Sequence, residues 1–259
     1  SVYSPSGNSN ADLMMSKIEP TLKAQGEYLG GDLPVDDYAI LIYMQSNRAN
    51  SGLMGALEHS YSTVFTYPDY SFERIGPLIM DVTSHEFFHV ITPLAIHSEE
   101  IGNYDFMEPK MSKHLWLYEG VTEYFANLIK FKGGVISPDE YLKEMEAKLA
   151  EGLDFPVNEM SFTEMSEHVL EEKYHKHYGQ VYMRGAFLAM LLDAEIQRLT
   201  SGQKSLIDVM LALNARYGAN KSFDEQTFIA ELVKEVHPDL QNFFTLYIEG
   251  KNQWKPNEQ

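Results

Sequence analysis

The sequence predicts an α+β fold, with a mixed α/β front portion and an all-helical rear portion. Three observations carry that reading. Residues 38–44 (YAILIYM) form a continuous apolar, partly β-branched run of the kind that builds a buried strand. Beyond Pro138 the apolar residues recur almost throughout at helical spacing. Between the two portions, Gly133-Gly134 breaks the chain, and Ser137-Pro138-Asp139-Glu140 has capping-box spacing with proline in the first helical turn. The expected division is a lobe over 1–135 carrying the chemistry and a helical lobe over 136–259, hinged near 132–137. A cleft between such lobes is a natural place for a site.

Each element follows from a local pattern. The stretch Ala11–Tyr28 carries Leu13, Met14, Ile18, Leu22 and Ala24 at helical intervals despite Pro20, and stops at Gly30-Gly31. After the strand over 38–44, residues 55–66 alternate small, polar and aromatic side chains and read as a second extended segment. Pro77 marks a helix start, the helix covers 78–91, and Pro93 ends it. Residues 101–112 are polar with Gly and Pro and read as a loop, and helical spacing returns over 113–131. In the rear portion helices are expected over 138–151, 181–199, 205–217 and 224–236. Ser222 and Glu225 announce the last of these as a second capping box.

Composition removes several classes of function. The chain has 259 residues, 44% of them hydrophobic and 22% charged, which suits a packed core and not a disordered or fibrous chain. Its formal net charge of −18 repels phosphate backbones and anionic lipid, so neither nucleic acid nor a charged membrane surface is an expected partner. There are no cysteines, so any metal must be held by His, Asp and Glu. No stretch approaches the roughly 20 apolar residues of a membrane span. The run over 186–192 is short and lies between Arg184 and Asp193. The opening Ser1-Val2-Tyr3-Ser4-Pro5 shows no signal peptide and no initiator Met, and reads as a processed chain or a piece of a longer one.

The chemistry concentrates in His85-Glu86-Phe87-Phe88-His89, an HExxH motif inside the expected helix. Residues four apart on a helix differ by about 40° around its axis, so both imidazoles leave from one face and can grip one metal ion. Glu86 can then reach the attacking water without being a ligand. Two imidazoles are too few ligands. The candidate for the third is Glu119, in Leu115-Trp116-Leu117-Tyr118-Glu119-Gly120 on the next expected helix, and three protein ligands with an open position form the catalytic arrangement. Glu123, one turn further, either accepts an imidazole N–H and fixes its tautomer or is a solvated charge. His175 and His177 read as a polar loop, Phe87-Phe88 as core packing, and Glu167, Glu171 and Glu172 as a solvated face.

HEFFH followed 30 positions after His89 by the glutamate of WLYEGVTEYF resembles the gluzincin metallopeptidases. Within them it is similar to the glycyl aminopeptidase family, whose members often carry a PDZ domain. The related aminopeptidase N family has a similar WLxEG at a shorter gap. The resemblance implies a thermolysin-like zincin catalytic domain with one Zn²⁺ per chain, ligated by His85, His89 and Glu119, and Glu86 as general base. Co²⁺ or Mn²⁺ can occupy such a ligand set in vitro. Gly55-Ala56-Leu57-Glu58-His59 resembles the G-x-x-E-H/N segment of these enzymes, with Gly-Ala where Gly-Gly is common. It implies that Glu58 holds the substrate's free α-ammonium, while Gly55 and Ala56 belong to an edge strand near 53–58 that aligns the peptide. Tyr182-Met183-Arg184-Gly185 resembles a Y-x-K/R-G element whose tyrosine donates to the oxyanion, with Tyr178 as the alternative.

The resemblance thus implies an aminopeptidase acting on peptides with a free N-terminus and a small first residue such as Gly or Ala. The residues themselves leave the compartment open, and the resemblance favours a periplasmic or otherwise exported bacterial protein. The β-rich N-terminal region and the PDZ domain of full-length members have no counterpart here, and no PDZ-like segment follows Pro256. Two readings compete: an endopeptidase on the same zinc site, which needs no ammonium anchor, and a non-catalytic peptide-binding module.

Overall fold

The computed structural model describes residues 1–31, 35–46 and 54–255. They form an α+β chain that divides into two compact units, one of Ser1–Val90 with Phe125–Tyr141 and one of Ile91–Tyr124 with Leu142–Gln259. The division expected at 135–136 is a lobe boundary read along the chain, whereas these units are segments grouped by packing. A shift in composition along the chain does not report which segments pack together, and residues 91–124 belong with the rear of the chain.

The first unit holds a four-stranded sheet of order β1-β2-β4-β3, built from β1 (Val2–Tyr3), β2 (Ala39–Gln45), β3 (Gly55–His59) and β4 (Ser62–Pro68). Strand β4 pairs parallel with β2, with Ile42 opposite Phe65, and β3 runs antiparallel to β4 at the sheet edge, with Glu58 opposite Thr63. The extended segment expected over 55–66 is therefore a hairpin turning at Ser60-Tyr61, where serine is a common turn residue. Ile42, Met44, Phe65 and Tyr67 form one face and pack on Met14 and Ile18 of α1 (Ala11–Tyr28) and Ile75, Ile79 and Met80 of α2 (Phe72–Phe88). The run over 38–44, expected to be buried throughout, is buried on this face alone. Leu41 and Tyr43 point the other way and are 41% and 51% exposed, because among the described residues the helices cover one side of the sheet.

Helix α1 begins under an Asn10 cap, whose side chain accepts the Leu13 N–H at 3.0 Å. It ends where Gly31, at φ +85°, returns its N–H to the Gly26 carbonyl. Helix α2 starts five residues before Pro77, so the proline lies inside the helix and not at its start. One main-chain hydrogen bond is lost there, and the burial of Ile75, Ile79 and Met80 outweighs it. The helix also ends earlier than expected, at Phe88. His89 N–H then bonds the Glu86 carbonyl and Val90 N–H the Phe87 carbonyl, a tightened last turn.

In the second unit a short α3 (Glu99–Gly102) precedes a loop and then a π-helical turn, Trp116–Val121, which runs on into α4 (Thr122–Lys132); α4 from Phe125, and the chain onward to Tyr141, belong to the first unit. Helix α5 (Pro138–Gly152) opens on the expected capping box: Ser137 N–H donates to Glu140 Oε2 at 2.8 Å and Glu140 N–H to Ser137 Oγ at 3.2 Å. Then follow α6 (Phe162–Glu167), α7 (Glu172–His175), α8 (Met183–Leu199), α9 (Leu206–Arg216) and α10 (Phe228–Val236). The box expected at Ser222 and Glu225 does not form. Asp224 Oδ1 accepts the N–H groups of Gln226 and Thr227, and Glu225 turns its carboxylate to the Ser112 hydroxyl and the Lys113 N–H. A glutamate with two donors elsewhere is worth more there than at a helix start. Among the described residues no helix is long and apolar enough to cross a membrane.

His114 lies at the centre of an aromatic cluster of Trp116, Phe223 and Phe228 and is 1% exposed. Its Nδ1 accepts the Trp116 indole N–H at 3.1 Å, and its Nε2 lies 3.2 Å from the Glu225 carbonyl oxygen, so the neutral ring satisfies both partners. Burial pushes its pKa down from 6.5 to about 4. A depressed folded-state pKa contributes stability that is full above 6.5 and is lost as pH falls towards 4. The loss expected from this residue is about 3 kcal/mol. Glu225, raised by its own burial, acts in the opposite direction. Urea unfolding at pH 7 and pH 4.5 isolates the histidine: His114→Gln should lose less stability between these pH values than the unmutated chain. An equal loss in both contradicts the assignment.

Candidate metal centre

Helix α2 is held in place along the whole HExxH segment. Gln25 of α1, fully buried, donates its side-chain N–H to the Ser84 carbonyl at 2.6 Å, and the Ser84 hydroxyl donates to the Ala126 carbonyl at 2.9 Å. Phe88 stacks on Phe125 with ring centroids 5.0 Å apart, and Phe87 meets the Tyr38 ring edge-on at 5.0 Å. Lys130 of α4, 5% exposed in its side chain, pairs with Asp81 at 2.6 Å. Both phenylalanines thus serve packing, as expected from the sequence. The other face carries His85, Glu86 and His89, exposed by 7%, 7% and 2%, with the imidazoles edge-to-face at 4.8 Å. Two imidazoles and a carboxylate gathered this closely are groups of the kind that can hold a cation.

Glu119 sits within the π-helical turn, where the wider loop of backbone hydrogen bonds shifts the following side chains relative to an α-helix, a device common at functional sites. Helical spacing over 113–131 is legible in the sequence, and the wider turn is not. Its neighbour Gly120 lies against Gly185 in the first turn of α8. A Cβ built on Gly120 would fall 2.7 Å from the Gly185 Cα, and one on Gly185 would fall 2.8 Å from the Gly120 Cα. The glycines of WLYEG and YMRG are therefore the two sides of one backbone contact. It fixes the Glu119 turn against the start of α8, beside Tyr182. The Tyr182 hydroxyl lies 3.2 Å from that of Tyr178, so the two candidates from the sequence share a hydrogen bond. Arg184 is 2% exposed, and burial lowers its pKa to about 10. Its guanidinium donates to the Gly152 and Asn252 carbonyls and to Gln253, securing α8 from the other side.

Two groups of three side chains offer ligand atoms that all lie within 4.8 Å of one another: His85, His89 and Glu119, and Glu58, Glu86 and His89. Glu58 projects from edge strand β3 on the same face as its cross-strand partner Thr63, towards α2. Gly55 opens that strand at φ +149°, a conformation that suits glycine, followed by Ala56; of the strand expected near 53–58, Leu53 lies outside the described residues. Tyr38 was not anticipated from the sequence. Its hydroxyl bonds Thr63 and points at the Glu86 carbonyl at 3.5 Å. Burial first, and then the charges of Glu86 and Glu58, push its pKa up to about 12. Tyr67 is raised in the same way by burial and by Glu86. Nothing in the sequence singles out either from the 16 tyrosines.

Glu123 forms an ion pair with Lys148, 2.6 Å apart, and the lysine side chain is only 5% exposed. This partner was also missed, since Lys148 reads as one more charge on a polar helix. Glu123→Gln is expected to cost roughly 1–3 kcal/mol, because a buried ammonium loses its counter-charge. Adding Lys148→Met should recover most of that loss in a thermal or urea melt. If Glu123 also orients an imidazole, metal affinity in the double variant stays about 10–100-fold below wild type even though stability returns.

Residues 79–188 match the family described as M61 glycyl aminopeptidase. No curated protein matches the chain. Among solved structures, an aminopeptidase N family protein from Idiomarina loihiensis is similar over 98% of this chain and 44% of its own, at 20% identity and a TM-score of 0.81. An M1 zinc metallopeptidase from Deinococcus radiodurans is similar over 99% of this chain and 48% of its own, at 16% identity and a TM-score of 0.61. A glutamate-to-alanine mutant of that enzyme, bound to a Tyr-Ser-Ala substrate, gives a TM-score of 0.63 at the same identity and coverage. The chain spans less than half the length of these structures, and the likeness establishes its fold.

Proposed function

We propose, for a chain whose residues 79–188 match the M61 glycyl aminopeptidase family, a zinc-dependent peptidase that removes residues from the free N-terminus of peptides. The observation that carries this reading is the pair of overlapping triads, His85–His89–Glu119 and Glu58–Glu86–His89. Two imidazoles and a carboxylate suit zinc, whose bonds of about 2.0–2.1 Å put tetrahedral ligand atoms about 3.4 Å apart. Their ligand atoms, within 4.8 Å, need only small adjustments to reach that spacing. Bound there, the ion would polarise the scissile carbonyl and acidify water.

The chain's own residues do the rest. Glu86 takes the proton of the attacking water and passes it to the departing amine, reversing its role. Tyr182 donates its hydroxyl to the oxyanion, and Tyr178 holds it through their shared hydrogen bond. Glu58 pairs with the substrate ammonium through a charge-assisted hydrogen bond, and the free edge of β3 lines up the peptide backbone. Because Glu58 lies beside Glu86 and His89, an ammonium held by it places the first peptide bond, and no later one, at the reacting position.

The preference for Gly or Ala, the flanking β-rich and PDZ domains, and an exported location belong to the same proposal and rest on the family resemblance. The test compares alanine p-nitroanilide with its N-acetylated form, using zinc-reconstituted protein. Hydrolysis of the free form alone supports the aminopeptidase reading. Equal hydrolysis of both forms transfers the proposal to an endopeptidase, and hydrolysis of neither, nor of a longer peptide, overturns it.

A further inference from the structure

We propose that Tyr38 is a specificity-determining residue, its phenol forming the wall against which the side chain of the substrate's first residue must fit. The inference rests on the aminopeptidase reading and adds a residue to it. Three contacts triangulate the phenol. Its hydroxyl bonds Thr63, the residue directly opposite Glu58 across the β3–β4 ladder, and directly opposed side chains on one face have Cβ atoms about 4.5–5.5 Å apart. The same hydroxyl donates to the Glu86 carbonyl at 3.5 Å. The ring stands edge-on to Phe87, at 5.0 Å and an interplanar angle of 89°, and this contact leaves it little freedom to swing away.

These contacts hold the phenol between the Glu86 main chain and the residue facing Glu58, near enough to the Glu58–Glu86–His89 triad for both carboxylate charges to act on its hydroxyl. A first residue whose ammonium is on Glu58 and whose carbonyl faces Glu86 has its Cα in the space between them, so its side chain must pass close to Tyr38. The raised pKa agrees with that placement, since both carboxylates act on the hydroxyl, and it keeps the phenol neutral at every working pH. A neutral aromatic wall excludes by size and makes no charged contact with the side chain it limits.

The experiment measures kcat/KM for alanine, leucine and phenylalanine p-nitroanilides with zinc-reconstituted wild type, Tyr38→Phe, Tyr38→Leu and Tyr38→Ala, each checked for folding by its melting curve. The Leu/Ala and Phe/Ala ratios are expected to rise at least about tenfold in Tyr38→Ala, the scale on which a pocket senses a few methylenes, and to rise less in Tyr38→Leu. Tyr38→Phe, which keeps the ring, should hold the ratios within about twofold. Ratios unchanged in both truncated variants overturn the proposal, as does a uniform fall for all three substrates. If wild type cleaves none of the three, or cleaves their N-acetylated forms equally, the aminopeptidase reading has failed, and that outcome is read from wild type alone.

Discussion

Glu86→Gln is expected to lower kcat by about 10²–10⁴-fold, the range that a positioned general acid–base group supplies. The amide matches the carboxylate in shape and keeps a hydrogen-bonding oxygen, so helix α2 and the imidazoles on either side of it should stay where they are. What is lost is the basic oxygen that accepts a proton from water. KM for a free-amine substrate should change by little, because the proposed ammonium anchor is Glu58 and not Glu86. Metal content should remain that of wild type, because Glu86 belongs with Glu58 and His89 and not with the His85–His89–Glu119 group. The check is a steady-state assay with metal content measured on the same sample. Unchanged kcat at full metal occupancy ends the general-base assignment.

Gly120→Ala and Gly185→Ala are each expected to destabilise the protein by about 1–3 kcal/mol or more and to reduce activity further than stability alone explains. The added methyl would fall 2.7 Å (Gly120) or 2.8 Å (Gly185) from backbone atoms of the facing residue, a distance that only a shift of one helical segment against the other can relieve. The segments concerned are the π-helical turn carrying Glu119 and the first turn of α8 beside Tyr182, so relief misplaces at least one of the two groups. Displacements of about 1 Å can cost 10²-fold in rate. Gly26→Ala is the control. It makes the same chemical change inside α1, where nothing lies within 4 Å of the new methyl, and it should stabilise by about 0.5–1 kcal/mol. Melting curves and kcat for the three variants test the contrast. If Gly120→Ala melts and turns over like wild type, the backbone contact does not govern the site.

How much was legible in the sequence differs from element to element. The HExxH helix, the strand over 38–44 and the Ser137–Glu140 cap were readable because their signals are local: a helical period, an apolar run, a side chain three residues from its partner. Glu119 was readable as a candidate from its place on the next expected helix, the family resemblance implies the same partner, and its ligand atom lies within 4.8 Å of those of His85 and His89. The path of α2 through Pro77 was not readable, because the packing of Ile75, Ile79 and Met80 decides it from outside the segment. Glu225 shows the same limit: its spacing from Ser222 suggests a cap, and donors more than 100 residues away in sequence claim its carboxylate. The roles of Tyr38, Gln25 and Lys148 depend wholly on tertiary neighbours, and such residues look ordinary in a linear chain.

Zinc binding to metal-free protein tests the central claim most directly, measured by competition with a chromophoric chelator for wild type, Glu119→Gln and Glu86→Gln. One tight site per chain is the predicted result, with Glu86→Gln binding as wild type does and Glu119→Gln at least about 100-fold weaker for want of the third ligand, the only charged one of the set. Equal affinity in wild type and Glu119→Gln would contradict the account, because the ion would then be held without the carboxylate that completes the proposed centre.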